Sequence, residues 1–438
     1  MKKIFFYIIL LACFSPALKA QETVYPAKPQ TQTIVLYNGT IHRGNGEVIT
    51  NAVVIIEKGK ISYAGPMVAS DFKDAKVIDV AGKQIYPGLI LPSSTLGLTE
   101  IGSNAGRPMN DFSEVGDMNS DVRSIVAYNT DSKIINTLRS NGVLVANVIP
   151  QGGTLAGLSS VVQLDAWNWE DAAYKTDNGV NFNMPELINR PNPFAAFFGV
   201  QQPQTDPVKQ ALETIEKVKI FFREAKAWFA ATNHKDVNLK YEAVRGLFDN
   251  TQKLYISCNT VKQMLIAIDF VKEFGFDVVV VGGSDSWQIA DLLKQNNISV
   301  ILSQEHSLPT LPDDDIDQPY KTPAALQKAG VLFALNDDDN QNRGRNIAFN
   351  AGTASAYGMT REEALTAITL NAAKILGIAD RTGSIEAGKD ANIIVSEGDI
   401  LDMRTNIITM AWIQGRQIDL TNKQTQLYER YKYKYGLK

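Results

Sequence analysis

The chain has 438 residues, 45% of them hydrophobic and 21% charged, enough for a large core in more than one compact unit. Its 43 basic and 47 acidic residues give a formal net charge of -4, which excludes the electrostatic footprint of a nucleic-acid binder. Only three histidines occur, His42, His234 and His306, and this limits any metal centre built on imidazoles.

The chain opens with a targeting pattern. Lys2 and Lys3 precede an apolar run over 4–14 that is too short to span a membrane. Ala17-Leu18-Lys19-Ala20 before Gln21 fits a signal-peptidase site, so 1–20 reads as a signal peptide and the protein as exported to the periplasm or cell envelope. Leu11-Ala12-Cys13 also resembles a lipoprotein box, although Phe14 is unusual after such a cysteine. Cleavage after Ala20 leaves Cys258 as the single cysteine, read as a small buried apolar residue, and no intramolecular disulfide.

After a polar lead-in, strands are expected over 33–37, 52–57, 61–64, 77–80 and 84–86. Asn38-Gly39 and Lys58-Gly59 read as turns. From Leu89 to Gly377 short apolar runs alternate with helical patterns, the signature of βα units around a parallel sheet. Strands are predicted over 88–91, 143–149, 254–258, 278–281, 300–302 and 331–335. Helices are predicted over 131–140, 207–230, 260–274, 287–295, 322–329, 346–357 and 361–376. Thr360 with Glu363 forms a capping box for the last of these. No strands are evident around 161–250, where Asn189-Arg190-Pro191-Asn192-Pro193 suggests an insertion. Strands return after Gly377, with a hairpin at Gln414-Gly415. The tail 424–438, rich in Tyr, Lys and Arg, is expected to pack its tyrosines on the body as a surface helix.

Several segments resemble the amidohydrolase superfamily in its imidazolonepropionase-like branch, over almost all of the mature length. Val80 to Ile90, with Pro87-Gly88-Leu89-Ile90, is similar to the family's approach to barrel strand one. Ile347 to Gly352 and Tyr357-Gly358-Met359 resemble the helix pair after the last strand. Ala364 to Gly377 is similar to A-[LI]-T-x-N-x-A-x-x-L-G, and Gly383 to Asn392 matches G-S-[IL]-E-x-G-K-x-A-[DN]. The resemblance implies an α/β fold: a (β/α)8 TIM-like barrel over 88–378 with an insertion around 161–250, plus a small β-sandwich formed from 21–87 and 379–423. Sites on such barrels lie at the C-terminal ends of the strands.

The resemblance also implies a hydrolase of carbon–nitrogen bonds other than peptide bonds. In it, a divalent metal such as zinc, held by His-x-His after strand one, by histidines after strands five and six and by an aspartate after strand eight, lowers the pKa of bound water from about 15.7 to about 7. This chain departs from that pattern. Ser93 and Thr95 stand at the His-x-His positions, and Ser257 and Asn259 follow the fifth strand. Gly282-Gly283-Ser284 follows the sixth, and only Asp337 matches the aspartate. No metal ligand set, and therefore no cofactor, is expected unless the family chemistry is retained. Metal-dependent activity is then weak, altered or lost. A non-catalytic small-molecule binder, or a partner subunit of an active paralogue, is the alternative, and a homo-oligomer is open.

The candidate catalytic groups are Asp337 and His306, which follow expected strands. Ser93, Thr95, Glu100, Ser257, Asn259 and Arg345 are candidate substrate contacts, with Arg345 suited to clamping a carboxylate. Asp337-Asp338-Asp339 reads equally well as a solvated turn. Asp313-Asp314-Asp315 with Asp317 reads as a second solvated acidic loop, since it lacks EF-hand spacing. His42 and His234 read as structural. Gln151 to Gly157 is glycine-rich without the Gly-Lys-[Ser/Thr] of a phosphate loop, and is expected to let backbone approach the pocket.

Overall fold

The computed structural model describes residues 25–67, 72–100, 111–188, 206–231, 234–303, 306–337 and 343–437. Residues 1–20, read above as a signal peptide and including Cys13, lie outside the described residues, as do Asn189 to Pro193, Asp338 and Asp339.

In chain order the strands are β1 (Ile34–His42), β2 (Val48–Glu57), β3 (Lys60–Pro66), β4 (Lys76–Asp79), β5 (Gln84–Pro87), β6 (Leu89–Ser94), β7 (Val143–Val148) and β8 (Leu155–Gln163). They continue with β9 (Ala173–Asn183), β10 (Lys253–Cys258), β11 (Val278–Gly282), β12 (Ser299–Leu302), β13 (Phe333–Leu335), β14 (Ile393–Ser396), β15 (Ile408–Ile413) and β16 (Arg416–Gln417). The main helices are α1 (Lys133–Ser140), α2 (Pro207–Ala230), α3 (Val261–Phe274), α4 (Ala290–Gln295), α5 (Gln318–Ala329), α6 (Ile347–Ala356), α7 (Arg361–Ala367), α8 (Leu370–Leu376) and α9 (Lys423–Tyr435).

The two chain ends share one sheet of order β16-β15-β14-β5-β1-β2-β3, with β4 also paired to β1. It folds back on itself: Ile61 N–H bonds to Lys389 O at 2.9 Å, and Gly388 N–H to Ile61 O at 2.8 Å. Leu36, Val54, Ile85, Ile393 and Trp412 fill the enclosed core. Asn38-Gly39 is not a turn but a bulge inside β1, where the register shifts and Asn38 takes φ 66°. Asparagine tolerates that left-handed backbone, and a Cβ on Gly39 would stand 2.8 Å from Ile85 Cδ1.

The second sheet, β13-β12-β11-β10-β9-β8-β7-β6, forms a nearly closed barrel. Seven strands run parallel, and β8 runs antiparallel between β7 and β9. No ladder joins β6 to β13; instead Ser93 N–H donates to Asn336 Oδ1 at 3.2 Å. Ile90, Val145, Val161, Tyr174, Tyr255, Val279, Ile301 and Ala334, one from each strand, form the inner apolar layer, plugged by Ala372, Ile375 and Leu376 of α8. Helices cover the outside, burying Phe222, Ile268 and Leu365.

Three further expectations are corrected. The stretch read as an insertion supplies the end of β8 and all of β9 to the barrel; the chain leaves the sheet only beyond Asn183. The single helix expected over 361–376 is two, because Ile368 O accepts from Ile90 N–H at 3.0 Å instead of continuing the helix ladder. The tail is helical, as α9, but buries no residue: Tyr433 is 92% and Tyr435 65% exposed.

Candidate functional site

Side chains alternate across a strand, so residues two beyond the inner apolar layer face the barrel axis nearer its mouth. On β7, on β10 and just beyond β12 and β13 those positions hold Asn147, Ser257, Ser303 and Asn336, and on β9 Asn183 is paired with Ser257. The corresponding positions on β6 and β11 are Pro92 and Val281, so amides and hydroxyls line most but not all of the mouth. Asn147 is fully buried; its Nδ2 donates to Pro92 O at 3.1 Å, while its Oδ1 is buried without a hydrogen bond to a described residue. Asn181 Nδ2 donates to Gly157 O at 3.1 Å and Asn183 Nδ2 to Gly153 O at 3.0 Å. The sequence reading missed these asparagines. Their signal was an asparagine inside an apolar strand run, as in Val143 to Val148, where its amide has no apolar reason to be.

Because β8 is reversed, it meets the mouth with its beginning. There the Gly152-Gly153 loop lies under the segment 111–123, which bridges Ser113 to Gln151 and Met118 to Leu155. A Cβ on Gly157 would stand 2.4 Å from Val122 O, and one on Gly153 2.8 Å from Gly116 O. The glycines therefore admit backbone, as expected from the sequence, and the backbone they admit is this roof. Asp117 locks it: its Oδ1 accepts from the Thr154 N–H at 2.9 Å and the Thr154 hydroxyl at 2.5 Å.

Ser93 and Thr95 are buried at the end of β6, and the backbone of Ser93 is tied to Asn336. Asp337, 2% exposed, follows Asn336 directly, with Arg343 Nη2 3.6 Å from its Oδ1. Asn259 is turned aside: its Oδ1 accepts from Ser284 Oγ at 3.1 Å. Glu100 accepts from Asn129 Nδ2 at 3.2 Å, beside the start of α1. Arg345 is half-buried in the 3-10 turn Arg343–Asn346, which leads into α6. His306 is exposed and held to α6, with Nε2 2.7 Å from Thr353 Oγ1 and its ring edge-on to Tyr320. Burial, reinforced by the charge of Arg343, pushes its pKa down, favouring neutral imidazole. Cys258 is buried, and burial raises its thiol pKa, so it is an inert core residue.

His42 and His234 are structural, as read. His42 stacks on Tyr86 at 4.4 Å between Glu362 and Gln84, and His234 stacks on Trp228 at 3.5 Å. Asp315 and Asp317 share Lys321 on the acidic loop.

Among the described residues, the donors at the positions where the resemblance puts metal ligands after the first and last strands are the Ser93 and Thr95 hydroxyls, the Asn336 amide and the Asp337 carboxylate. Zinc centres use imidazole, thiolate and carboxylate ligands, and neutral amide and hydroxyl oxygens do not fit one. Among the described residues no three His, Cys, Asp or Glu side chains converge.

A parallel-stranded barrel with its mouth at the strand ends, carrying a β domain built from both chain ends, is the architecture of metal-dependent hydrolases of the amidohydrolase type. Residues 284–418 match the amidohydrolase family. Over 86 residues the chain is 36% identical to an imidazolonepropionase of Thermoplasma volcanium, covering 19% of this chain and 21% of that protein. Over 75 residues it is 43% identical to an imidazolonepropionase of Agrobacterium fabrum, covering 16% and 18%. The chain thus spans about a fifth of the length of the curated relatives it matches. A solved amidohydrolase from Thermotoga maritima MSB8 superposes on 88% of this chain and 99% of its own, with TM-score 0.75 and 25% identity. A Xaa-Pro dipeptidase superposes on 88% and 100% with TM-score 0.54 at 13% identity, a likeness of fold alone. The chain is thus similar to the amidohydrolase family over 284–418, to imidazolonepropionases over a short stretch, and to a solved amidohydrolase in overall fold.

Proposed function

We propose that this is an exported amidohydrolase-type protein in which amides and hydroxyls have replaced most metal ligands. Its mouth takes up a small polar molecule by hydrogen bonds. Hydrolysis of carbon–nitrogen bonds outside peptides, the activity the family implies, is weak, altered or lost. One observation carries this reading. Where the resemblance puts metal ligands after the first and last strands, Ser93 N–H is bonded to the buried amide of Asn336 at 3.2 Å. An amide committed to that bond holds the barrel seam shut.

Without a Lewis acid, a lone carboxylate such as Asp337 supplies general-base assistance of about 10²–10⁴-fold, too little for an unactivated amide. Export is supported by the basic start, the short apolar run and the small residues before Gln21. The test is turnover of N-acyl amino acids, hydantoins and lactams by the mature protein, with and without added zinc. Little or no turnover, unchanged by zinc or chelator, is expected. Zinc-stimulated hydrolysis abolished by Asp337→Asn would overturn the proposal.

A further inference from the structure

A cleft lies on the flank of the barrel, between α1 and the link from β8 to β9. Because β8 begins at the mouth and runs away from it, its end at Gln163 and the link beyond lie towards the opposite end of the barrel. Leu164 to Trp167 form one wall, Thr130 to Asn136 with Arg139 the other, and Tyr25 with Pro26 closes the side. The cleft holds about 260 Å³. That is just below the range of roughly 300–1,000 Å³ for drug-sized ligands, and suits a single six-membered ring with its substituents.

Two features set its chemistry. The first is aromatic. Trp167 is 64% and Tyr25 73% exposed, and the two rings meet only each other, at 5.9 Å with a tilt of 51°. Rings left open to water at the rim of a cleft present flat apolar faces to a ligand. The second feature is polar. The charges at the floor are spent on one another: Arg139 Nη1 bonds to Asp165 Oδ1 at 2.6 Å, and Arg416 Nη1 stands 3.2 Å from Asp165 Oδ2. Arg139 Nη2 donates to Asn136 Oδ1 at 2.7 Å, which fixes that amide and leaves its Nδ2 without an acceptor among the described residues. At the rim, Asp131 and Lys133 are exposed, and neither side chain has an ion pair among the described residues. One acid and one base cancel, so the cleft favours a neutral ligand over an ion. A free amino acid does not match it. Residues two apart at the start of a helix do not face each other, so Asp131 and Lys133 cannot close together on an ammonium and a carboxylate borne by one carbon. Hydroxyls spread around a ring reach groups set apart in this way, and a pyranose brings them together with an apolar C–H face.

We propose that this cleft binds a pyranoside: a C–H face of the sugar against the rings of Trp167 and Tyr25, one hydroxyl donating to Asp131 and another accepting from Asn136 Nδ2. None of these residues belongs to the barrel mouth, and the site is independent of whether the mouth is catalytic.

The test is ligand-observed NMR titration of the full mature chain with four probes. Methyl β-D-glucopyranoside carries the apolar ring face and the hydroxyls together. Cyclohexylmethanol keeps a ring face without the ring hydroxyls, and sorbitol keeps the hydroxyls without a ring face. L-leucine reports on a zwitterion instead. The glucoside is expected to bind in the millimolar range, with cyclohexylmethanol and sorbitol each weaker by about tenfold. Trp167→Ala, at an exposed side chain, is expected to weaken the glucoside about tenfold by removing the stacking face. Asn136→Asp keeps the oxygen that Arg139 holds and removes the donor, and is expected to weaken it to a similar extent. Absence of glucoside binding into the tens of millimolar would overturn the proposal. So would glucoside binding that either variant leaves unchanged, or L-leucine binding more tightly than the glucoside.

Discussion

Asparagine is a poor strand residue, because its amide must find partners once the backbone ladder has used the neighbouring groups. Asn147 and Asn336 are nonetheless buried at the barrel mouth, and Asn181 is buried within β9. Asn336→Leu should orphan the buried N–H of Ser93 and cost about 1–3 kcal/mol, read as a lower urea midpoint at unchanged slope. His306 gives a pH signature. Its pKa is lowered by burial and by Arg343, so the unfolded chain takes up a proton first as pH falls. Stability should therefore decline as pH drops below about 6.5, towards the folded-state pKa. His306→Gln should remove that part of the slope, and thermal melts across the range would detect it. A slope unchanged in the variant would show that the imidazole is not the group titrating.

At the scale of elements, the reversed strand β8 decides the shape of the mouth. Turn-forming residues interrupt β9, which has no continuous apolar run. Asp177-Asn178-Gly179 looks like a hairpin turn, yet it lies inside β9, with Asp177 at φ 50°. The reason is tertiary. Asn178 Nδ2 donates to Tyr255 OH at 3.1 Å, and a Cβ on Gly179 would stand 2.3 Å from the Tyr255 ring. Regular strands such as β10 and β11 were legible because their apolar runs end at clear breakers. The break between α7 and α8 was not, since a carbonyl bond to β6 leaves no local trace. Gly157→Ala tests the roof. It would place a methyl 2.4 Å from Val122 O at φ +127°, and should cost about 1–3 kcal/mol in equilibrium unfolding. A neutral effect would mean that the segment 111–123 does not press on β8.

Across the whole molecule, Asp390 clasps the chain-end sheet to the barrel. Its Oδ1 accepts from Lys60 at 2.8 Å on β3, and its Oδ2 from the Tyr174 hydroxyl at 2.5 Å on β9. Arg381 adds a third contact at 3.3 Å and lies over the Tyr174 ring at 3.8 Å. Burial alone would raise the Asp390 pKa, but the bonds from Lys60 and Tyr174 and the charge of Arg381 outweigh it and lower it. Its stabilisation is then complete above the unfolded value of about 3.9 and fades as pH falls through the folded value. Asp390→Asn should cost about 1–3 kcal/mol at neutral pH and progressively less in acid, measured by denaturant titration at several pH values.

The two-part architecture was legible from Pro87-Gly88-Leu89-Ile90 and from the stretches 364–377 and 383–392, since those motifs carry the junctions between sheet and barrel. The candidate site was only partly legible. Ser93 and Asp337 do stand at the two edges of the barrel seam. Asn259 is spent on Ser284, and Glu100 is tied to Asn129. The amide lining depends on which face of each strand turns inward, and that is set by packing across the barrel.

The central claim is that hydrogen bonds, not a bound metal, organise the mouth. Elemental analysis of the mature protein, purified without chelator, tests it most directly. The proposal predicts zinc, nickel and iron all far below stoichiometric, with Asp337→Asn no different from wild type. Stoichiometric divalent metal that survives gel filtration and is lost in Asp337→Asn would contradict it.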